Sequence, residues 1–472
     1  MFDKFVIIFF YIYLSSKFFS ETIKVIPKMI DLVDLPVVFI FFLLLLFRKN
    51  QPALRPFYQS NFVFICFVIF TFATLLALLF NYDTLFMPSA VLYFIGFLGG
   101  PVLFYALDRF SKNKLKLIKA FERMIYILLF VNMIIVVFVN IPAFILTGNP
   151  DVISGTYGNN QYVFSFFVVL VGTYFLGLSQ KNNKKVFFLI ATQAVVFLVY
   201  YLLQYRAGLP FFVFAYTVII YYLYKAKSVL IFIIICFALA LTLFIGKNIE
   251  KRSTSTLDYD TWIMVLEDPY KFLNYTKFTV YPQTLKLFID EPVSIFVGVG
   301  PGNYLSRAHY TFAWDFVASY NRQKGVGPII EEYFGRINAR FSPYYLKYIS
   351  SVETGFVIGT AQFSNPHSSF LSPIAESGLF GGIAILTMYA ICFVNSIKFL
   401  TMAKDKFKDI LPLSVALVGC SCYLAGLIFL DNYLEMLRVT MLYWFLYWAV
   451  SVRIEKALEL EAESKTIIDD GF

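Results

Sequence analysis

Runs of about twenty consecutive apolar residues recur along this chain, as at 61–80 and 87–107. A run of that length matches the thickness of a bilayer's hydrocarbon core. Inside that core the backbone must satisfy its own hydrogen bonds, so each run reads as a helix. Composition agrees: 59% of the residues are hydrophobic and 15% are charged, against roughly 25% charged in a soluble domain. The apolar residues come in blocks rather than amphipathic stripes, which is how helices surrounded by lipid read.

The expected fold is an all-α polytopic membrane protein of about twelve transmembrane helices, placed near 5–20, 30–47, 61–80, 87–107, 124–146, 161–178, 186–203, 208–224, 229–246, 377–398, 410–430 and 438–453. Residues 1–246 hold the first nine helices and 377–455 the last three, with a tail at 456–472. Between helices 9 and 10 lies a large hydrophilic loop, 247–376, expected to carry short helices such as Tyr281–Ile289. A connection this long is usually functional.

Charge orients the bundle. Arg48, Lys49 and Arg55, then Arg109, Lys112, Lys114, Lys116, Lys119 and Arg123, then Lys181, Lys184 and Lys185, Lys225 and Lys227, and Lys398, Lys404, Lys406 and Lys408 all fall in even-numbered connections. By the positive-inside rule these face the cytoplasm. Both termini are then cytoplasmic and the large loop is periplasmic or extracellular. The net charge of +9 reads as topology, and no nucleic-acid partner is expected. Cys66, Cys236, Cys392, Cys420 and Cys422 all lie in apolar runs, so neither a disulfide framework nor a thiolate metal site is expected.

Chemistry concentrates in and around the loop, which holds both histidines, His309 and His367. His367 stands in Asn365-Pro366-His367-Ser368-Ser369, with Glu376 following and Gly378-Leu379-Phe380-Gly381 opening the return helix. An imidazole there can take a proton from a hydroxyl at the membrane surface, although an isolated loop histidine is more often structural. Arg206, in Tyr205-Arg206-Ala207-Gly208, is a cation kept on the external side against the charge trend. It could bind an anionic headgroup or merely snorkel. Gly298-Val299-Gly300-Pro301-Gly302-Asn303-Tyr304 predicts a tight turn with close backbone approach, without the lysine of a phosphate loop. Asp258 and Asp260 form a carboxylate pair without companion ligands, so no metal is expected.

In order along the chain, these stretches resemble the O-antigen ligase and O-antigen polymerase superfamily of bacterial envelope assembly. Ser154–Gln161 is similar to the family's "sGtfgnpN" opening of a helix, and Tyr205–Gly208 to its "SRG" corner. Residues 277–304 resemble its "R…W…al…P..GvGpGnf" segment. His367-Ser368, nine residues, then Gly378 and Gly381 meet the ligase pattern H[NSQ]x9Gxx[GTY]. The resemblance covers about 150–400. It departs at Lys277, where the family often has arginine, at Tyr281, near its tryptophan, and at Pro210, which replaces the leucine of an Rx3L pattern beginning at Arg206.

The resemblance implies a glycosyltransferase-C-like helical architecture in the bacterial inner membrane and transfer of a glycan from an undecaprenyl-diphosphate carrier to an acceptor glycan or glycolipid, without metal, nucleotide or other cofactor. It implies His367 as general base, with Asn365, Ser368 and Glu376 in support. Glu376 could orient His367 or, the favoured reading, cap the return helix. Arg206 is the first candidate to hold the diphosphate, followed by Lys277, Arg307, Arg340 and Arg438, chosen for position and charge. His309, beside Arg307, reads as a loop residue rather than a second base. Membrane lipids and a chain-length regulator protein are the other expected partners. A repeat-unit polymerase is favoured, a ligase acting on lipid A core is the alternative, and a lipid-linked-sugar flippase comes third. A flippase would call for charges buried mid-helix, which spans 61–80 and 229–246 lack.

Overall fold

A computed structural model describes residues 2–22, 34–47, 60–147, 152–158, 161–181, 186–203, 208–224, 280–309, 342–348 and 368–469. Among the described residues the chain is helical and contains no strand. The helices are α1 (Phe2–Lys17), α2 (Asp34–Phe47), α3 (Ser60–Phe80), α4 (Met87–Phe110), α5 (Lys114–Thr147), α6 (Gln161–Lys181), α7 (Val186–Leu202), α8 (Leu209–Tyr224), α9 (Val280–Asp290), α10 (Leu371–Asp405), α11 (Leu411–Leu427) and α12 (Leu437–Asp469). Each expected helix has a counterpart except the one at 229–246, which lies outside the described residues.

Five described helices are long and apolar enough to cross a membrane: Asn61–Phe80, Met87–Phe110, Lys114–Thr147, Gln161–Lys181 and Leu371–Asp405. Leu35–Leu46, Leu209–Tyr224 and Leu411–Leu427 are apolar but shorter. This is an all-α protein built for a membrane.

Three boundaries differ from those expected, each for a local reason. The fifth helix begins at Lys114 rather than near 124. Its first turns are charged yet amphipathic, burying Leu117, Ile118 and Phe121 while Lys116 and Lys119 stay exposed. The return helix begins at Leu371, ahead of the expected 377, and bends at Gly378. The segment expected as a tail continues α12 to Asp469, because Ala, Leu, Glu and Lys all favour helix and Lys406 pairs with Glu461 at 3.0 Å.

Position in the bundle explains residue choice. Only 28% of the α3 span is buried against 83% of α6, and Phe62, Phe72 and Leu79 of α3 face outward. The first half of α12 is enclosed on all sides, with Trp444 and Trp448 fully buried. It can therefore carry Tyr443, Tyr447 and Ser451 in place of purely aliphatic side chains. A glycine at 100 lets the Trp444 ring approach α4 closely.

The two ends of the bundle differ. At one end gather Lys114 with Asp108, Lys181 with Asp409 at 2.6 Å, and Arg453 with Glu122 at 2.7 Å. The other end carries the described loop pieces 280–309 and 342–348, together with the 428–436 turn between α11 and α12.

Candidate functional site

The site is built from glycines outward. Gly298 (φ 77°, ψ 172°) and Gly378 (φ 73°, ψ 171°) occupy a backbone region open essentially to glycine alone. They lie against each other, and a Cβ on Gly298 would sit 2.6 Å from the Gly378 nitrogen. That close approach lets the loop bond to the start of α10: Val299 N donates to Ala375 O (2.9 Å) and Gly300 N to Glu376 O (3.1 Å). The tight turn expected at Gly298–Tyr304 is present, and it belongs to the same knot as the kink in the return helix.

Glu376 closes the knot. Fully buried, its carboxylate accepts N–H bonds from Gly302 (2.6 Å), Tyr304 (3.0 Å) and Ser306 (2.6 Å). These oxygens bond loop N–H groups, and Glu376 stands within the first turns of α10, two residues ahead of its kink at Gly378. At the start of α10 the Ser368 hydroxyl accepts from Leu371 N at 3.1 Å. Asn303 donates to Val299 O, and Ser89 Oγ of α4 to Gly302 O, so the loop is tied at both ends.

A second cluster was not singled out from the sequence. In the turn after α11, Asn432 Oδ1 accepts from Ser368 N (2.9 Å) while its Nδ2 donates to Leu305 O (3.0 Å). One amide thus joins the residue following His367 to the glycine-rich loop. Asp431 O accepts from Ser369 N, and Leu434 N donates to Ser369 Oγ. Glu435 accepts from Ser372 Oγ (3.0 Å) and Arg307 N (2.5 Å). Burial, and then the charge of Glu376, push the Glu435 carboxyl well above its ordinary range, against the bonds from Ser372 and Arg307 and the Arg307 charge. The available signal was Asp431-Asn432-Tyr433-Leu434-Glu435, two acids and an amide between apolar runs.

The stretch resembling the family's helix opening is held by α5, and the helix that follows it reaches the same turn. Gly155 N and Thr156 N donate to Asn140 and Asn132 of α5 at 2.9 and 2.8 Å. Just beyond, Tyr162 meets the Tyr433 ring edge-on with centroids 5.9 Å apart, and Ser165 Oγ lies 3.3 Å from the Tyr433 hydroxyl.

Of the expected site residues, Ser368, Glu376 and Arg307 come together here. Arg438 sits one turn beyond Glu435 but faces α1: its Nε donates to Tyr13 O (3.1 Å), its Nη2 to Ser16 Oγ (3.0 Å), and its guanidinium lies over the Tyr13 ring. His367, Arg206, Lys277, Arg340 and Asn365 lie outside the described residues. His309 is buried, its ring 4.7 Å from that of Tyr345. Burial lowers its pKa to about 4, opposed only in part by a hydrogen bond with the Gly302 backbone. Among the described residues no three His, Cys, Asp or Glu side chains are grouped to hold a metal ion.

In comparisons with known proteins, the chain matches no family model and no curated sequence.

Proposed function

We propose that this protein is a membrane glycosyltransferase that moves a glycan from a polyprenyl-diphosphate carrier to a sugar hydroxyl on the external face of the bacterial inner membrane, as a repeat-unit polymerase. One observation carries the reading. Three stretches that resemble the O-antigen ligase and polymerase superfamily, at 154–161, 298–304 and 368–381, are far apart in sequence, yet Tyr162 just after the first, Leu305 just after the second, and Ser368 and Ser369 within the third all meet the 431–435 turn. An active site assembled from these stretches requires such convergence at one end of the bundle.

In the proposed reaction His367 accepts the proton of the acceptor hydroxyl. The freed oxygen attacks the anomeric carbon, the bond from that carbon to the diphosphate oxygen breaks, and configuration inverts. Diphosphate leaves with its charge, which cations at the membrane surface must offset. Arg206 is the first choice, with Lys277, Arg307 and Arg340 as further candidates. Arg438 is the weakest, since two of its donors already serve α1. The gathering of basic pairs at the opposite end of the bundle supports placing that end in the cytoplasm.

The spacing of His367, Gly378 and Gly381 also fits the ligase pattern, which makes ligase the second reading. In cells of the source bacterium with the gene deleted, surface glycan that keeps a single repeat but loses long chains identifies a polymerase. Loss of every surface-attached repeat identifies a ligase. His367→Ala, expressed to the wild-type level, is expected to reproduce the deletion; full-length glycan from that variant would refute the proposed base.

A further inference from the structure

At the basic end, away from the convergent turn, the bundle encloses a cavity of about 960 Å³ between α2, α3, α4, α10 and α12. Its inner wall is aromatic and aliphatic, with Phe42, Phe64, Phe67 and Phe104 among the lining side chains. Phe64 and Val68 of α3 line it and are 43% and 46% exposed, beside the outward Phe62 and Ile65, so the cavity borders the layer where bilayer lipid lies. Its mouth is cationic: Arg109, Lys112, Lys114, Lys116 and Lys456 stand against Asp108, Glu455 and Glu459. Lys114 is taken up by Asp108 and Arg109 reaches toward Leu45 O, whereas Lys112 and Lys116 are exposed.

A second observation points to a polar occupant. Tyr105 and Ser111 belong to the cavity wall and are 4% and 9% exposed. Their hydroxyls make no hydrogen bond among the described residues. Buried hydroxyls are nearly always partnered, and two without partners at the wall of one cavity fit a ligand that brings its own acceptors.

We propose that this cavity is a binding site for an anionic phospholipid. One acyl chain lies against Phe64, Phe67 and Phe104, and the phosphate meets Arg109, Lys112 and Lys116 with the Ser111 hydroxyl. Basic pockets between membrane helices on the cytoplasmic side bind anionic headgroups by this combination of charge and apolar wall. A cavity of this size has room for a headgroup and part of a chain but not for a polysaccharide.

The test uses the full-length protein purified in a neutral detergent. Its melting temperature is followed during titration with phosphatidylglycerol, with phosphatidylcholine of the same chains, and with soluble glycerol 3-phosphate. Phosphatidylglycerol is expected to raise the melting temperature saturably, and the other two to leave it unchanged. Lys112→Gln with Lys116→Gln changes two exposed side chains, and is expected to weaken the apparent affinity about fivefold for each charge removed without shifting the melting temperature of the lipid-free protein. Native mass spectrometry should show phosphatidylglycerol retained by the wild type and depleted in that variant. Equal stabilisation by phosphatidylcholine would mean unspecific lipid contact, and equal stabilisation by glycerol 3-phosphate a free-phosphate site. Either result overturns the proposal, as does unchanged retention in the variant.

Discussion

At the scale of single residues, one carboxylate does the work of a small core. Three loop N–H groups point at Glu376, and removing their acceptor strands all three where water cannot replace it. Each buried unpaired group costs about 1–3 kcal/mol, so Glu376→Ala should lose roughly 4 kcal/mol or more and fall sharply in melting temperature. Glu376→Gln should lie between, since its oxygen can keep the Tyr304 and Ser306 bonds while its amide faces the Gly302 donor. His309 gives a pH signature. Its folded pKa of about 4 lies below the ordinary 6.5 or so, so between these values the unfolded chain binds more protons. Stability from this group is therefore intact above pH ~6.5 and declines as pH falls toward 4, by about 3 kcal/mol at the limit. The raised Glu435 carboxyl contributes in the opposite sense over this range, so the His309 slope is read as the difference between wild type and His309→Asn in denaturation from pH 7 to 4, the wild type losing more stability toward acid. The roles of Glu376 and Asn432 were not legible beforehand, because a carboxylate near a helix start reads first as a cap and an amide in a short turn as a turn residue.

At the scale of elements, the decisive features are bends. The kink at Gly378 lets the first turns of α10 leave the line of the span and present Ala375 O and Glu376 to the glycine-rich loop. A methyl at this position would clash with the Phe296 carbonyl in a backbone region closed to alanine. Gly378→Ala should destabilise the protein by about 3 kcal/mol or more and abolish transfer; a melting temperature within a degree of wild type would contradict this account of the knot. The positions of Gly298 and Gly378 were visible in the sequence as motif letters. That they are the two halves of one backbone contact was not, since some eighty residues separate them and no local pattern records the pairing. The π turn Val136–Asn140 in α5, which aims Asn140 at the loop of Gly155, was likewise unreadable from an apolar run.

At the scale of the whole molecule, the bundle has a basic end and a polar, loop-bearing end. If the basic end is cytoplasmic, a cysteine at Asp83, exposed in the turn between α3 and α4, should react with a membrane-impermeant thiol reagent added to intact cells or spheroplasts. A cysteine at Lys112 should react only after the membrane is opened. The described native cysteines are buried, and a background with all five replaced removes any remaining signal. The reverse labelling would invert the topology and with it the proposed external chemistry.

The sequence alone determined the helical class, the placing of the described helices and the segregation of positive charge, because each depends on hydrophobicity and charge summed over windows of about twenty residues. Only the tertiary structure decided where those helices extend or bend, that α12 is the enclosed one, and that a short acidic turn holds Ser368 and Leu305 together. Those outcomes rest on single hydrogen bonds and backbone contacts between residues tens to hundreds of positions apart, and periodicity carries no trace of them.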